Sequence, residues 1–108
     1  MTKIFYWHLI ELSPLKTELV NRGIGDTDLT EILDHVEEII HHRTLSLVYD
    51  NLPAKHHREF SYKLAKEPHK REIMVFLQQK SGVDIAELLA ENIRLTINEI
   101  LEELRIIG

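Results

Sequence analysis

Apolar residues recur at steps of three and four along residues 28–50, the spacing that places them on one face of an α-helix. The apolar positions are Leu29, Ile32, Leu33, Val36, Ile39, Ile40, Leu47 and Val48. Asp28 and Glu31 have the spacing of a capping box at the start, and Pro53 marks the end. The pattern predicts a central helix of about 28–50, roughly 30 Å long, on which the other elements pack.

A second long stripe predicts a closing helix over about 84–107, where Asp84 and Glu87 again have capping-box spacing. Its apolar positions are Ile85, Leu88, Leu89, Ile93, Ile97, Ile100, Leu101, Leu104 and Ile107. Shorter stripes predict helices from Pro14 to about Asn21, from Pro53 to about Lys66 and from Pro68 to about Lys80. The spacing of apolar residues therefore predicts a single all-α domain over residues 1–108. It is a compact bundle of about five helices, with two long helices at about 28–50 and 84–107.

Residues 4–10, Ile-Phe-Tyr-Trp-His-Leu-Ile, form a strongly apolar run that is too short to span a bilayer. No small-residue cleavage site follows it, and Glu11 and Lys16 come early, which argues against a signal peptide. We favour a buried strap or first helix. The alternative is an exposed docking peptide, because an open apolar patch of this size would be an interaction site.

Composition and charge narrow the class of protein. The 108 residues are 44% apolar and 29% charged, which is typical of a folded globular domain. Thirteen basic residues against eighteen acidic ones give a net charge of −5, which argues against a dedicated nucleic-acid binder. The absence of cysteine excludes disulfides, thiolate metal sites and a cysteine nucleophile. We expect a cytoplasmic protein that does not associate with membranes.

The charges are unevenly distributed. Residues 54–71 carry six basic and two acidic residues, whereas residues 84–108 carry six acidic and two basic ones. We favour two solvated helix faces that attract each other weakly, within or between chains. The alternative is a basic patch for an acidic protein or nucleic acid. A nucleic-acid-associated regulator would use a helix-turn-helix near Pro68, with the recognition side chains Lys63, Lys66, His69, Lys70 and Arg71.

The histidines raise the question of a metal site. His35, Glu38, His41 and His42 follow one another along the central helix, and Glu38 and His41 have the Glu-x-x-His spacing of di-iron bundles. Neutral imidazoles and carboxylates bind divalent metals, so a metal-binding bundle is one hypothesis. No second Glu-x-x-His occurs, and the adjacent isoleucines occupy the core face. We therefore favour solvent-facing histidines and expect no cofactor.

Catalytic motifs are missing from the chain. It contains no Gly-x-Ser-x-Gly, and its four glycines are scattered at 23, 25, 82 and 108, which excludes a glycine-rich phosphate loop. Adjacent carboxylates such as Glu37-Glu38 point in different directions on a helix. We do not expect an enzyme.

Several features taken together resemble a known family. They are residues 36–43 of the central helix, the Leu52-Pro53 break, Phe60, Phe76-Leu77 and the closing Glu102-Glu103-Leu104. Over roughly residues 15–105 the chain resembles short acidic helical proteins known only as a domain of unknown function, from bacteria with reduced genomes. The resemblance implies a helical fold and a bacterial cytosol, and it brings no catalytic or ligand residues.

We expect a small helical protein–protein interaction module that binds a protein partner or self-associates, with a homodimer as the form that self-association would take. The closing helix carries apolar residues beyond one narrow stripe, and the aromatic N-terminal run offers a second contact surface. The expected interface residues are Phe5, Trp7, Leu95, Ile97, Ile100 and Leu104. The alternative is that these residues fill the domain's own core, and we favour that alternative for Ile97, Ile100 and Leu104.

Overall fold

The structure is a computed structural model that describes the backbone of residues 4–107 and the side chains of residues 4–104. These residues form five α-helices and two 3-10 helices, with no strand among them. The α-helices are α1 (Ser13–Asn21), α2 (Asp26–Asn51), α3 (His57–Lys66), α4 (Arg71–Ser81) and α5 (Ile85–Ile107), and the 3-10 helices are Trp7–Leu9 and Ala54–His56. The prediction of an all-α bundle with two long helices is confirmed.

The centre of the fold is the pair of long helices, α2 and α5. Buried side chains repeat about every four residues along both helices. They are Val36, Ile40, Thr44 and Val48 on α2, and Ile85, Leu89, Ile93 and Ile97 on α5. At the rim of this contact, Arg43 Nη1 donates to Glu99 Oε2 at 2.7 Å and to Thr96 Oγ1 at 3.3 Å. Apolar burial therefore holds the pair together, and the exposed ion pair adds little to it.

The three shorter helices close the sides of this pair. Helix α1 packs on α2 and α5, and α4 packs on α5 and α3. Each contributes buried side chains to the core. They are Leu15 and Leu19 on α1, Phe60 on α3, and Ile73, Phe76 and Leu77 on α4. The molecule measures 47 × 27 × 17 Å. Its thinnest dimension is less than two helix diameters, so the helices keep an outer face on solvent.

The N-terminal segment, defined as residues 4–12, combines buried and exposed side chains. Phe5 and Tyr6 are buried, and the Phe5 ring lies edge-on to Phe60 with 6.1 Å between the ring centroids. The Phe5 backbone N–H donates to the carbonyl of Pro68 at 2.7 Å. Trp7 and His8, by contrast, are exposed. The segment is therefore a buried strap at its first two aromatic residues and a surface element immediately after them.

The central helix begins two residues before the predicted start of about 28, and the capping box predicted at Asp28 is wrong. Helix α2 begins at Asp26, and its N-cap is Gly25 in an extended conformation without a side-chain hydrogen bond. Asp28 therefore lies inside the first turn, where a carboxylate interacts favourably with the helix dipole but does not cap. The cap predicted at Asp84 is confirmed, because the Glu87 N–H donates to Asp84 Oδ1 at 3.3 Å.

The two prolines predicted to open helices are each followed by other structure. After Pro53 the chain makes the 3-10 turn Ala54–His56 before α3 begins. Pro68 lies in a turn, and α4 begins only at Arg71, after an extended N-cap at Lys70. The Pro68 carbonyl accepts the Phe5 N–H, so this turn also serves as the attachment point of the N-terminal segment.

Thr44 gives a prediction for the stability of the α2–α5 contact. It is fully buried, and its hydroxyl has no hydrogen-bond partner among the described residues. Thr44→Val keeps the shape and removes this polar group, so we expect the free energy of unfolding to rise by about 1 kcal/mol in a urea titration. The exposed Ser46 provides the control, and Ser46→Ala should change stability by less than about 0.5 kcal/mol. A marked loss of stability in the valine variant would contradict this account of Thr44.

Candidate functional site

A groove of about 570 Å³ lies between the N-terminal segment, the first turn of α1 and one flank of α5. The N-terminal wall is held in place by the buried Phe5 and Tyr6, and the opposite wall is the rigid α5. The apolar part of the lining consists of Leu9, Pro14, Ala90, Ile93 and Ile97. The groove is therefore formed by the folded chain itself, and five of its ten lining residues are apolar.

The polar part of the lining is mainly acidic. It contains the carboxylates of Glu11, Glu87 and Glu91 and one guanidinium, that of Arg94, which donates to Glu91 Oε1 at 3.3 Å. Hydrogen bonds from the side chain and then the backbone N–H of Ser13 lower the pKa of the Glu11 carboxyl. Three carboxylates against one cation give the groove a negative rim at neutral pH.

Large apolar side chains of the N-terminal segment and of α5 are exposed. Trp7 is 47% exposed and belongs to the 3-10 helix that packs on α5. Leu88 and Leu95 are 37% and 49% exposed, and because they are seven residues apart on α5 they share its outer face with Glu91. None of these three side chains lines the groove, so they form exposed apolar positions separate from it.

The structure divides the six expected interface residues into three groups. Trp7 and Leu95 are exposed, and Ile100 and Leu104 are half-buried against the core. Phe5 and Ile97 are buried in the domain's own core, although Ile97 also borders the groove. The folded chain therefore does not present Phe5 to a partner, and an interface through the remaining residues stays a prediction.

The four metal candidates do not converge. His35 Nδ1 lies 3.6 Å from Glu38 Oε2 on the exposed face of α2, with both side chains more than 70% exposed. His41 turns towards Tyr6, and the exposed His42 meets it edge-on with 6.2 Å between the rings. No group of three or more potential metal ligands occurs within the described part of the chain. The metal-binding bundle therefore stays a prediction, without support from these four residues.

The basic candidates border a second hollow, of about 360 Å³, between α3 and α4. Its lining contains Lys63, Lys66 and Lys70 together with Tyr62, Glu67, Glu72 and Ile73. Lys63 lies 3.7 Å from Glu59, and Lys70 lies 2.9 Å from Glu67. The other two candidates, His69 and Arg71, are exposed beside the turn. The mixed charge opposes binding of a polyanion, since carboxylates repel phosphates.

Sequence reasoning missed a polar pair between the N-terminal segment and α2. The Tyr6 hydroxyl hydrogen bonds with His41 Nδ1 at 2.7 Å, and the two rings stack. Burial raises the pKa of the Tyr6 hydroxyl, and Glu37 raises it further. Burial also lowers the pKa of His41, with a smaller contribution from His42. The Tyr6 O–H donates a hydrogen bond to Nδ1 of neutral His41, and nothing in the spacing along the chain connects residues 6 and 41.

This pair predicts how stability depends on pH. An unfolded histidine titrates near pH 6.5, and folded His41 titrates lower, so the unfolded chain binds more protons between the two pKa values. We therefore expect the melting temperature to fall as the pH is lowered from about 7.5 to about 5.5, followed by circular dichroism. His41→Gln should flatten this dependence, whereas His35→Gln, at an exposed position on the same helix, should retain it. An unchanged slope in the His41 variant would contradict the assignment.

Comparisons with family models, with curated proteins and with solved structures found no match. The resemblance to small acidic helical bacterial proteins therefore stays a prediction. Within the described residues, no helix combines the length and the apolar character needed to cross a membrane.

Proposed function

We propose that this chain is a small helical protein–protein interaction module of the bacterial cytoplasm, with the groove between the N-terminal segment and α5 as its docking site. The observation that carries the proposal is the groove itself, whose apolar lining comes from the N-terminal segment, α1 and α5. Amphipathic helices bind to proteins by laying an apolar face into such a groove. Exposed Trp7, Leu88 and Leu95 are further apolar positions that a partner can cover. The lack of cysteine and the family resemblance support the location.

The rim defines the chemistry of the partner. Glu11, Glu87 and Glu91 favour a helix with lysine or arginine beside its apolar face. The carboxylates are on the surface, so their contribution is to steer and orient the partner, while apolar burial supplies most of the affinity. The nucleic-acid alternative is less well supported, because Glu59 and Glu67 lie beside Lys63 and Lys70.

The single tryptophan of the chain allows a direct test. Trp7 lies two residues from Leu9, which lines the groove, so its fluorescence should shift to shorter wavelength when a helix covers this side. The full chain is titrated with a synthetic amphipathic helix of leucine and lysine. A second peptide with the same leucine spacing and glutamate in place of lysine is the control. We expect saturable, salt-sensitive binding of the lysine peptide only.

The groove is tested separately by the double substitution Glu87→Lys and Glu91→Lys, which reverses the charge of its rim at two exposed positions. The variant should lose affinity for the lysine peptide and gain affinity for the glutamate peptide. Equal binding of both peptides, or binding of the lysine peptide unaffected by the double substitution, would disprove docking in the groove.

A further inference from the structure

We infer that the groove of one copy binds α3 of a second copy, through a stripe formed by Arg58, Tyr62 and Lys66. This inference rests on the proposed function, because it names the partner of the same groove. It identifies the partner as a surface that the chain itself carries.

The stripe on α3 has the composition of a docking element. Arg58, Tyr62 and Lys66 follow one another at four-residue steps, so they lie on one face of the helix. Tyr62 is 62% exposed, more than any other large apolar side chain described. Lys66 Nζ is 3.3 Å from the Tyr62 hydroxyl and 5.5 Å from the centroid of its ring. Tyrosine and arginine are the residue types that contribute most often to the centre of interfaces.

The stripe matches the groove in charge. Arg58 and Lys66 are two helical turns apart, about 12 Å along the axis, with Tyr62 midway between them. The groove offers carboxylates on both sides of an apolar lining, Glu11 on one wall and Glu87 with Glu91 on the other. A ring placed on the apolar lining thus leaves one cation on each side of it to pair with the glutamates of the rim.

Both surfaces are left unneutralised within a single copy. Arg58, Glu11 and Glu87 take part in no ion pair among the described residues. Glu91 pairs only with the exposed Arg94 of its own helix, a contact that a stronger partner can replace at little cost. The opposite charges of α3 and α5 are therefore available to a second copy.

The pairing joins two different surfaces of the same chain. Such a contact closes into a dimer when both grooves are filled reciprocally and otherwise continues from copy to copy. In either case the mean mass rises with protein concentration and falls with added salt, because charge contacts at the rim are screened.

A charge swap followed by analytical ultracentrifugation tests the inference. We expect the full chain to associate between low micromolar and millimolar concentration at low salt. Glu87→Lys with Glu91→Lys, and Arg58→Glu with Lys66→Glu, should each weaken association about tenfold or more. An equimolar mixture of the two variants should associate again, because each supplies the charge that the other has lost. Glu31→Lys with Asp34→Lys, at exposed positions of α2 outside the groove, is the matched control and should associate like the unmodified chain.

Two outcomes would overturn the inference, namely a monomeric unmodified chain at millimolar concentration or two variants that remain monomeric when mixed. Circular dichroism of each variant checks that the helices are retained, since all six substituted residues are exposed. The peptide titration followed through Trp7 then decides the proposed function separately. If the chain stays monomeric but binds the lysine peptide, the proposed function holds and the self-association inferred here is wrong. The partner of the groove is then a basic helix of another protein.

Discussion

Replacing Phe60 with alanine is expected to lower the free energy of unfolding by about 3–5 kcal/mol, the largest effect of any single substitution considered for this chain. Phe60 is fully buried, and its ring meets Tyr49 at 5.2 Å and Phe5 at 6.1 Å between centroids. Alanine would leave a cavity where α2, α3 and the N-terminal segment meet. A domain of this size is stable by only about 5–15 kcal/mol, so a urea titration should show a large shift of the midpoint.

Tyr62→Ala, two residues further along α3, is the matched control. Tyr62 is exposed, so its loss should change stability by less than about 0.5 kcal/mol while removing the centre of the α3 stripe. The pair of variants separates folding from docking on one helix. A loss of less than about 1 kcal/mol for Phe60→Ala would contradict the central place of the aromatic cluster.

Phe5→Ala should have the second-largest effect, a loss of about 3 kcal/mol. The Phe5 side chain is buried against Tyr6 and Phe60, and it fixes the segment that forms one wall of the groove. We therefore expect weaker binding of the lysine peptide as well as lower stability. Urea unfolding followed by far-ultraviolet circular dichroism measures the first effect, and the fluorescence of Trp7 measures the second.

Trp7→Ala provides the contrast, because Trp7 is 47% exposed and should cost less than about 1 kcal/mol. The sequence pattern predicted that Phe5 and Trp7 both belong to an interface. In the structure Phe5 is buried in the core and Trp7 is exposed. Equal losses from Phe5→Ala and Trp7→Ala would show that the segment does not pack as described.

The long helices could be predicted because burial on one side of a helix leaves a regular spacing in the sequence. Residues 28–50 and 84–107 carry that spacing over several turns, and the helices observed are Asp26–Asn51 and Ile85–Ile107. The cap predicted at Asp28 and the helix start predicted at Pro68 were wrong for different reasons. Gly25 caps α2 through its backbone alone, and the Pro68 turn is fixed by a hydrogen bond from Phe5, which is distant in sequence.

The candidate groove could be predicted only in part. Exposed Leu95 and the acidic character of α5 are properties of one helix and can be recognised in the sequence. The groove itself depends on the N-terminal segment lying against α5, a contact between residues about eighty positions apart. The Tyr6–His41 pair was missed for the same reason. Periodicity describes which face of a helix is buried, but not which distant segment covers it.

The most direct measurement of the central claim is a map of amide chemical shifts by NMR as the concentration of the full chain is raised from low micromolar to millimolar. Docking of α3 into the groove predicts shifts confined to two places, residues 58–66 on one side and residues 9–14 and 87–98 on the other. Added salt should reverse both sets together. Shifts spread evenly over the surface, or confined to residues outside these ranges, would contradict the account.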